Sequence, residues 1–338
     1  CDMIILGIET SCDETSASVV EDGIKVHSNI VASQQELHTR FGGVVPEIAC
    51  RAHTDTIITV IDKAVTEANI KINDIDAISV ANTPGLIGAL LIGLTTAKTL
   101  SWLLGIPLIT INHLHAHIYA SKIEHEDIDY PAISLVVSGG HTSLFLTQSE
   151  TRHTQVGGTI DDAAGEAFDK VGKILGLGYP AGPEIDTISQ KGNGKAILFP
   201  RSYLKKDSLD FSFSGVKTAV LYHCMGQDSK NTGEMPELKD REIADLAASF
   251  QEAVVDVLVN KTIFAATKFS ARSIILGGGV ACNSRLRQRL ADAAKQRDIP
   301  LYYPSKKLCM DNAAMVAGLA YHKYDEEAFS GLEVEAMP

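Results

Sequence analysis

The feature that most limits how this chain can fold is a pattern of strands, turns and helices that occurs twice. Residues 4–9 (IILGIE) and 16–20 (SASVV) read as two strands joined by the polar turn TSCDET, and a third strand follows near 24–31. Near residue 130 the pattern restarts: AISLVVSGG is a strand running into a glycine turn, and TSLFLT is its return strand. ETSASVV and HTSLFLT share a Thr-Ser step that opens the second strand of a hairpin. Further on, SIILGGGVACNSRLRQRL repeats the strand–glycine turn–helix succession of AISVANTPGLIGALL. This weak internal duplication predicts an α/β protein in which each half is a mixed sheet covered by helices. Glycine turns after strands expose backbone N–H groups to anions, which suggests a nucleotide held in the cleft between two such halves. With 338 residues the chain is long enough for two lobes. We expect them at 1–130 and 131–338, the second carrying helical insertions at about 159–270 and the last helix packing back on the first lobe.

Between these landmarks, residues 46–68 have helical spacing, with Ile57, Ile58, Ile61, Ala64, Val65 and Ala68 three and four apart. Residues 86–108 (LIGALLIGLTTAKTLSWLLGIPL) are apolar nearly all round, but Lys98 sits mid-stretch and Gly105 and Pro107 end it early. A charge at the centre of a membrane helix costs roughly 3 kcal/mol. The expectation is therefore a core helix buried between layers, with no membrane contact. The six cysteines are scattered, none in a C-x-x-C pair, which fits reduced thiols in the cytoplasm. The start CDMIILGIE has neither the basic region nor the cleavage site of a signal peptide. A net charge of −12 argues against a protein that coats nucleic acid unaided. It leaves room for a local basic patch or a positively charged partner.

The stretch INHLHAHIYA (111–120) places His113 and His117 one helical turn apart, with His115 pointing elsewhere. That spacing lets two imidazoles meet one divalent ion, although an isolated H-x-x-x-H is also what surface or capping histidines look like. Leu114 stands where a zinc peptidase of the H-E-x-x-H type needs its glutamate base. A third ligand would have to come from far away. Asp311, at the start of the helical pattern DNAAMVAGLAYHKY, uses the same oxygens for capping as for ligation, so both roles stay open.

VVSGGHTS (136–143) is either a plain hairpin or a nest in which the N–H groups of Gly139 and Gly140 hold an anion beside His141. Residues 159–186 carry a helical stripe followed by a rigid loop through Gly182-Pro183, where backbone could approach a ligand. LGGGVACNSRLRQRL matches neither a dinucleotide-binding fingerprint nor a P-loop. Arg285, Arg287 and Arg289 form the densest basic cluster, either a solvated face or an RNA contact; Lys205-Lys206 and Lys306-Lys307 are the other basic pairs considered for RNA.

Taken together, the blocks GIETSCDETSASVV, GGVVPEIACRAH, PGLIGALLIG, NHLHAH, SGGHTS, DDAAGEAFDKVGKILGLGYPAGP, FSFSGVKTAV, GGGVACNSRLR and CMDNAAM run in order over nearly the whole chain. In them the chain resembles the TsaD family of bacterial tRNA adenosine threonylcarbamoyltransferases, formerly called glycoproteases. The resemblance implies the two-lobed fold of actin, Hsp70 and sugar kinases. It implies His113, His117 and Asp311 as ligands of one divalent ion, Fe2+ as the family is usually described, with Zn2+ the alternative. It places substrate against Val136, Val137, Ser138, Gly139 and Gly140, and against Asp169, Gly182, Asp186 and Asn283. Three positions depart from the family pattern: Thr83 and Ala181 where glycine is common, and His115 where an acidic residue is frequent.

The implied reaction moves threonylcarbamoyl from its adenylate, threonylcarbamoyl-AMP, to the exocyclic amine of the adenosine just 3′ of the anticodon in tRNAs reading codons that begin with adenine. AMP leaves. Glu14 and His141 are the candidates for taking the amine proton. The implied partners are tRNA, a TsaB-like paralogue, a TsaE-like ATPase and a synthase that makes the adenylate. The rival readings are a metallopeptidase, a small-molecule kinase of the same fold and a non-catalytic scaffold.

Overall fold

A computed structural model describes residues 2–205, 207–225 and 238–338; Cys1 and Lys206 lie outside the described residues. The chain forms two compact units. One comprises Cys1–Ile128, Gln148–His153 and Tyr302–Pro338, and the other Asp129–Thr147 and Thr154–Leu301.

In the first unit the strands are β1 (Ile4–Glu9), β2 (Glu14–Glu21), β3 (Lys25–Ser33), β4 (Ala77–Thr83) and β5 (Leu108–Asn112), in the order β3-β2-β1-β4-β5. β1 is antiparallel to β2 and parallel to β4. Its helices are α1 (Gln35–Thr39), α2 (Pro46–Glu67), α3 (Ile87–Leu104) and α4 (His113–Tyr119). Because side chains alternate along a strand, β1 feeds two separate cores. Leu6 and Ile8 pack with Ile57, Val60 and Ile61 of α2 and with Leu94 and Ala97 of α3. Ile5 joins the opposite core with α4 and the helix that spans Ala313–Asp325. Gly7 lies on that second face, where a Cβ would strike the Ala313 carbonyl and sit 2.9 Å from the Ala317 methyl. Only glycine lets the helix lie so close to the strand.

The second unit repeats the plan strand for strand. β6 (Ala132–Val137), β7 (Thr142–Thr147), β8 (His153–Gly158), β9 (Ser273–Gly277) and β10 (Leu301–Tyr302) follow the order β10-β9-β6-β7-β8. β6 is antiparallel to β7 and parallel to β9, as β1 is to β2 and β4. The duplication read from the hairpins is thus a shared topology. Between β8 and β9 come α5 (Ala164–Ile174), α6 (Gly182–Ser189), α7 (Ser214–Met225) and α8 (Asp240–Lys268). α9 (Ser284–Lys295) follows β9 and packs on α8; α10 (Lys306–Cys309) and α11 (Ala313–Asp325) belong to the first unit.

One expectation is corrected. α3 is not buried between layers: Ala89, Leu90, Gly93, Leu94, Ala97 and Ser101 face inward, while Ile87, Leu91, Trp102 and Leu103 are exposed. By length and composition it could cross a membrane. Its uniform apolarity concealed a one-sided packing that only a polar outer face would have announced.

Candidate metal centre

β5 ends at Asn112, whose side chain accepts the N–H groups of Leu114 (2.9 Å) and His115 (3.2 Å) and so caps α4. α11 begins in the same way, with the buried Asn312 accepting the N–H of Met315 at 3.2 Å. The capping role left open for Asp311 therefore belongs to its neighbour, as capping beside His113 belongs to Asn112. In both places an asparagine satisfies the helix end and the adjacent ligand-type side chain is released.

Those released side chains meet. Asp311 Oδ1 lies 3.0 Å from His117 Nε2 and 3.5 Å from His113 Nε2. One donor atom from each of the three falls within 4.8 Å of the others. Donors bound to one ion at about 2.0–2.2 Å sit roughly 3.0–3.5 Å apart, and both distances to Asp311 fall in that range, as expected of a candidate site for a single divalent ion. His113 and His117 are buried, with ring centroids 4.6 Å apart at 77°. Burial lowers the basicity of His113, but the carboxylates of Glu9 and Asp311 outweigh it and hold its pKa at about 9. Burial and the adjacent His113 lower that of His117. Glu9 was not picked out from the sequence. It is fully buried and its Oε2 lies 2.9 Å from His113 Nδ1.

Glu14 opens β2 beside this group. Burial raises its pKa far above the usual carboxylate range, assisted by the charges of Asp311 and Asp13 and a hydrogen bond with Asp13. Burial likewise pushes the Cys12 thiol well up, with Asp13 and Asp311 adding to it. His53 braces the segment, with Nε2 3.0 Å from the Cys12 carbonyl and Nδ1 2.7 Å from Thr15 Oγ1.

The other candidate residues all lie in the second unit. Val136 and Val137 are buried strand residues, which leaves only their backbone for a ligand. Ser138–His141 is a tight turn in which the Ser138 N–H donates to the His141 carbonyl (2.8 Å), with Gly139 and Gly140 exposed at its tip. The Gly165 N–H, in the first turn of α5, donates to the Ser138 carbonyl at 3.3 Å. One turn along α5, Asp169 accepts the Ala181 N–H (2.8 Å), just before Gly182 opens α6. Asp186 on α6 accepts the N–H (3.0 Å) and hydroxyl (2.8 Å) of Ser284. Asn283 caps α9 and donates to Gln251 at 2.7 Å. The turn, Asp169, Gly182, Asp186 and Asn283 are thus one connected series. Ser284 and Gln251 also line a cleft of about 380 Å³.

A family model described as TsaD, tRNA N6-adenosine threonylcarbamoyltransferase, matches residues 25–318. Proteins bearing that name are similar over almost the whole chain. The one from Moorella thermoacetica is 49% identical over 334 residues, 99% of this chain and 96% of that protein. The one from Clostridium botulinum (strain Kyoto / Type A2) is 50% identical over 336 residues, with the same coverage. The chain belongs to the TsaD family.

Among solved structures, the Acidaminococcus fermentans (R)-2-hydroxyglutaryl-CoA dehydratase component A aligns with TM-score 0.56 at 14% identity, covering 96% of this chain and 99% of that one. The ROK hexokinase from Thermus thermophilus aligns with TM-score 0.52 at 15% identity over 96% and 99%. At such identities the likeness is one of fold, and the fold is the actin/Hsp70/sugar-kinase type.

Against the TsaD pattern two of the three departures have local explanations. His115 turns away from the ligands and packs its ring on His153, centroids 4.4 Å apart. Ala181 is accommodated by Gly172, because a Cβ at 172 would coincide with the Ala181 methyl. For Thr83 in the turn before Pro84-Gly85 the structure offers no compensation. The arginine cluster, weighed above as an RNA contact, is engaged within the unit. Arg285 pairs with Glu252, and Arg289 with Glu252 and Asp256 (2.7 Å each). Arg287 donates to the Ala281 carbonyl.

Proposed function

We propose that this chain transfers threonylcarbamoyl from threonylcarbamoyl-AMP to the exocyclic amine of the adenosine 3′ to the anticodon, releasing AMP. The observation that carries the reading is the meeting of two imidazoles and one carboxylate in a chain of this family. His113, His117 and Asp311 would hold a divalent ion; two histidines and one carboxylate with open positions favour Fe2+, and Zn2+ suits the same ligands. When bound, such an ion supplies a Lewis-acid point for an acyl or phosphoryl oxygen.

The remaining chemistry falls to the chain. An exocyclic adenine amine is a poor nucleophile because its lone pair is delocalised into the ring, so the carbonyl must be activated and the leaving phosphate stabilised. The backbone N–H groups of Gly139 and Gly140, at the exposed tip of the turn, suit an oxygen or phosphate of the adenylate. Asp169, Gly182, Asp186 and Asn283 would hold the adenosine half. Of the two candidates for taking the amine proton, His141 and Glu14, the raised pKa counts against Glu14, because it keeps that carboxyl protonated at neutral pH. A TsaB-like paralogue and a TsaE-like ATPase are the proposed partners, and the cytoplasm the proposed location. The peptidase alternative lacks a base, since a buried Leu114 follows His113.

The test is mass spectrometry of nucleosides after incubation with unmodified tRNA and threonylcarbamoyl-AMP, with and without the partners. The threonylcarbamoylated adenosine should appear only when this chain is present. Peptide cleavage without nucleoside modification would sink the proposal.

A further inference from the structure

The outer nitrogens of the two histidines are held very differently. His113 Nδ1 lies 2.9 Å from Glu9 Oε2 and 3.2 Å from Ser11 Oγ. The other Glu9 oxygen, Oε1, accepts the Ser11 N–H at 2.5 Å. His117 Nδ1 is buried and has no hydrogen-bond partner among the described residues. Two imidazoles that offer equivalent Nε2 atoms to Asp311 are therefore not equivalent in their support.

The burial of Glu9 calls for a reason. It ends β1 on the face that carries Ile5 and Gly7, within the layer formed with α4 and α11, and its accessible surface is nil. Burying a carboxylate is costly unless it is paired and hydrogen-bonded. A carboxylate oxygen can only accept, so its contact with His113 fixes a proton on Nδ1, and Nε2, which faces Asp311, is the nitrogen left to give up its proton to a metal. Nδ1 is 2.9 Å from Glu9 while Nε2 is 3.5 Å from Asp311, so the ring is held along one axis between two carboxylates.

We propose that Glu9 is a positioning residue for metal capture. It fixes His113 as the Nε2 donor and makes His113 the anchoring ligand, with His117 the weaker one. This rests on the reading of His113, His117 and Asp311 as ligands. Loss of an outer partner of this type typically lowers metal affinity by about 10–100-fold. Glu9→Gln retains shape and a hydrogen bond but lets the amide present either a donor or an acceptor to Nδ1. Glu9→Asp keeps the charge and draws it back by one methylene.

The experiment uses the full chain, stripped by chelator and titrated with Zn2+ alone and, without oxygen, with Fe2+ alone, in competition with a chromophoric chelator. Thermal melts accompany each variant. For Glu9→Gln and Glu9→Asp we expect affinity losses of about 10–100-fold, and His113→Ala should lose more than His117→Ala. In the Zn2+-loaded wild type, nitrogen-15 NMR of labelled histidine should show His113 with a protonated, strongly hydrogen-bonded Nδ1, and that proton signal should shift in Glu9→Gln. Wild-type affinity and an unshifted signal in Glu9→Gln would make Glu9 a structural staple and overturn the inference. A metal bound at Nδ1 in the wild type would overturn it with no variant needed, even if the variants fail to fold. A wild type that captures neither ion would remove the ligand assignment itself, an outcome distinct from wild-type binding that Glu9 does not influence.

Discussion

The candidate residues of the first unit present side chains, and most of those of the second present backbone or helix caps. At the candidate metal centre, two buried imidazoles and the half-buried Asp311 carboxylate meet while neighbouring asparagines hold the helix ends. In the second unit, Gly139 and Gly140 stand exposed at the tip of a turn, and Asp186 and Asn283 already hold the start of α9. The first arrangement separates chemistry from architecture. The second merges them, so the same kind of substitution should have different consequences in the two units.

The largest effect should come from Asp311→Ala. Metal capture and tRNA modification should fall at least about 100-fold, beyond the typical cost of losing an outer partner. The melting temperature should stay near wild type. Asn312→Ala, one residue on, should instead cost about 1–2 kcal/mol of stability through the lost cap. Metal content and melts of the two variants decide; a large melt shift in Asp311→Ala would show that the two jobs are not separate.

In the second unit, Gly140→Val should weaken adenylate binding by about tenfold, or about 1.4 kcal/mol, with tRNA affinity unchanged. Calorimetry with adenylate and a filter assay with tRNA would measure this. Equal losses for both substrates would mean the turn is purely structural. Arg289→Glu should cost on the order of 1 kcal/mol by breaking its pairs with Glu252 and Asp256. The salt slope of tRNA binding should not move; a flatter slope would return this helix to the RNA path.

The smallest effect separates the units by pH. Burial lowers the pKa of His153 to about 4 and that of His115 to about 3, from 6.5. Below pH 6.5 the unfolded chain takes up protons that these folded rings refuse. Their stabilisation is therefore complete above 6.5 and is lost as the pH falls toward the folded values. In the second unit, burial would raise Asp161, but hydrogen bonds from Ser212 and Ser214 outweigh it and lower its pKa below 3.8. That contribution survives until stronger acid. Hydrogen exchange from neutral to about pH 5 should show the first unit loosening first, and His153→Gln should reduce the loss by on the order of 1 kcal/mol. Simultaneous loosening of both units would contradict this.

Much of this was legible because the signals are local. Alternation and helical spacing located β1 and α2, and the four-residue step between His113 and His117 survives folding as one helix face. Asp311 needed the family resemblance, because 194 residues separate it from His117. Glu9 was missed because IILGIE reads as an apolar strand; the available clue was that Gly7 and Glu9 share one face. The arginines misled for a related reason. Arg285 and Arg289 are one turn apart, and so are their partners Glu252 and Asp256 on α8, but no local pattern reports that the two ladders face each other.

The fit between Gly172 and Ala181 carries a consequence for how such chains can change over generations. The methyl of one residue fills the place that a methyl on the other would need, so the two positions share a single vacancy. With this backbone, a lineage carrying Gly172 and Ala181 can reach the reverse arrangement by single steps only through a chain with glycine at both. The alternative order passes through a chain with alanine at both, where two carbons would occupy one space. The history of either position is therefore directional, and its permitted next step is written at the other.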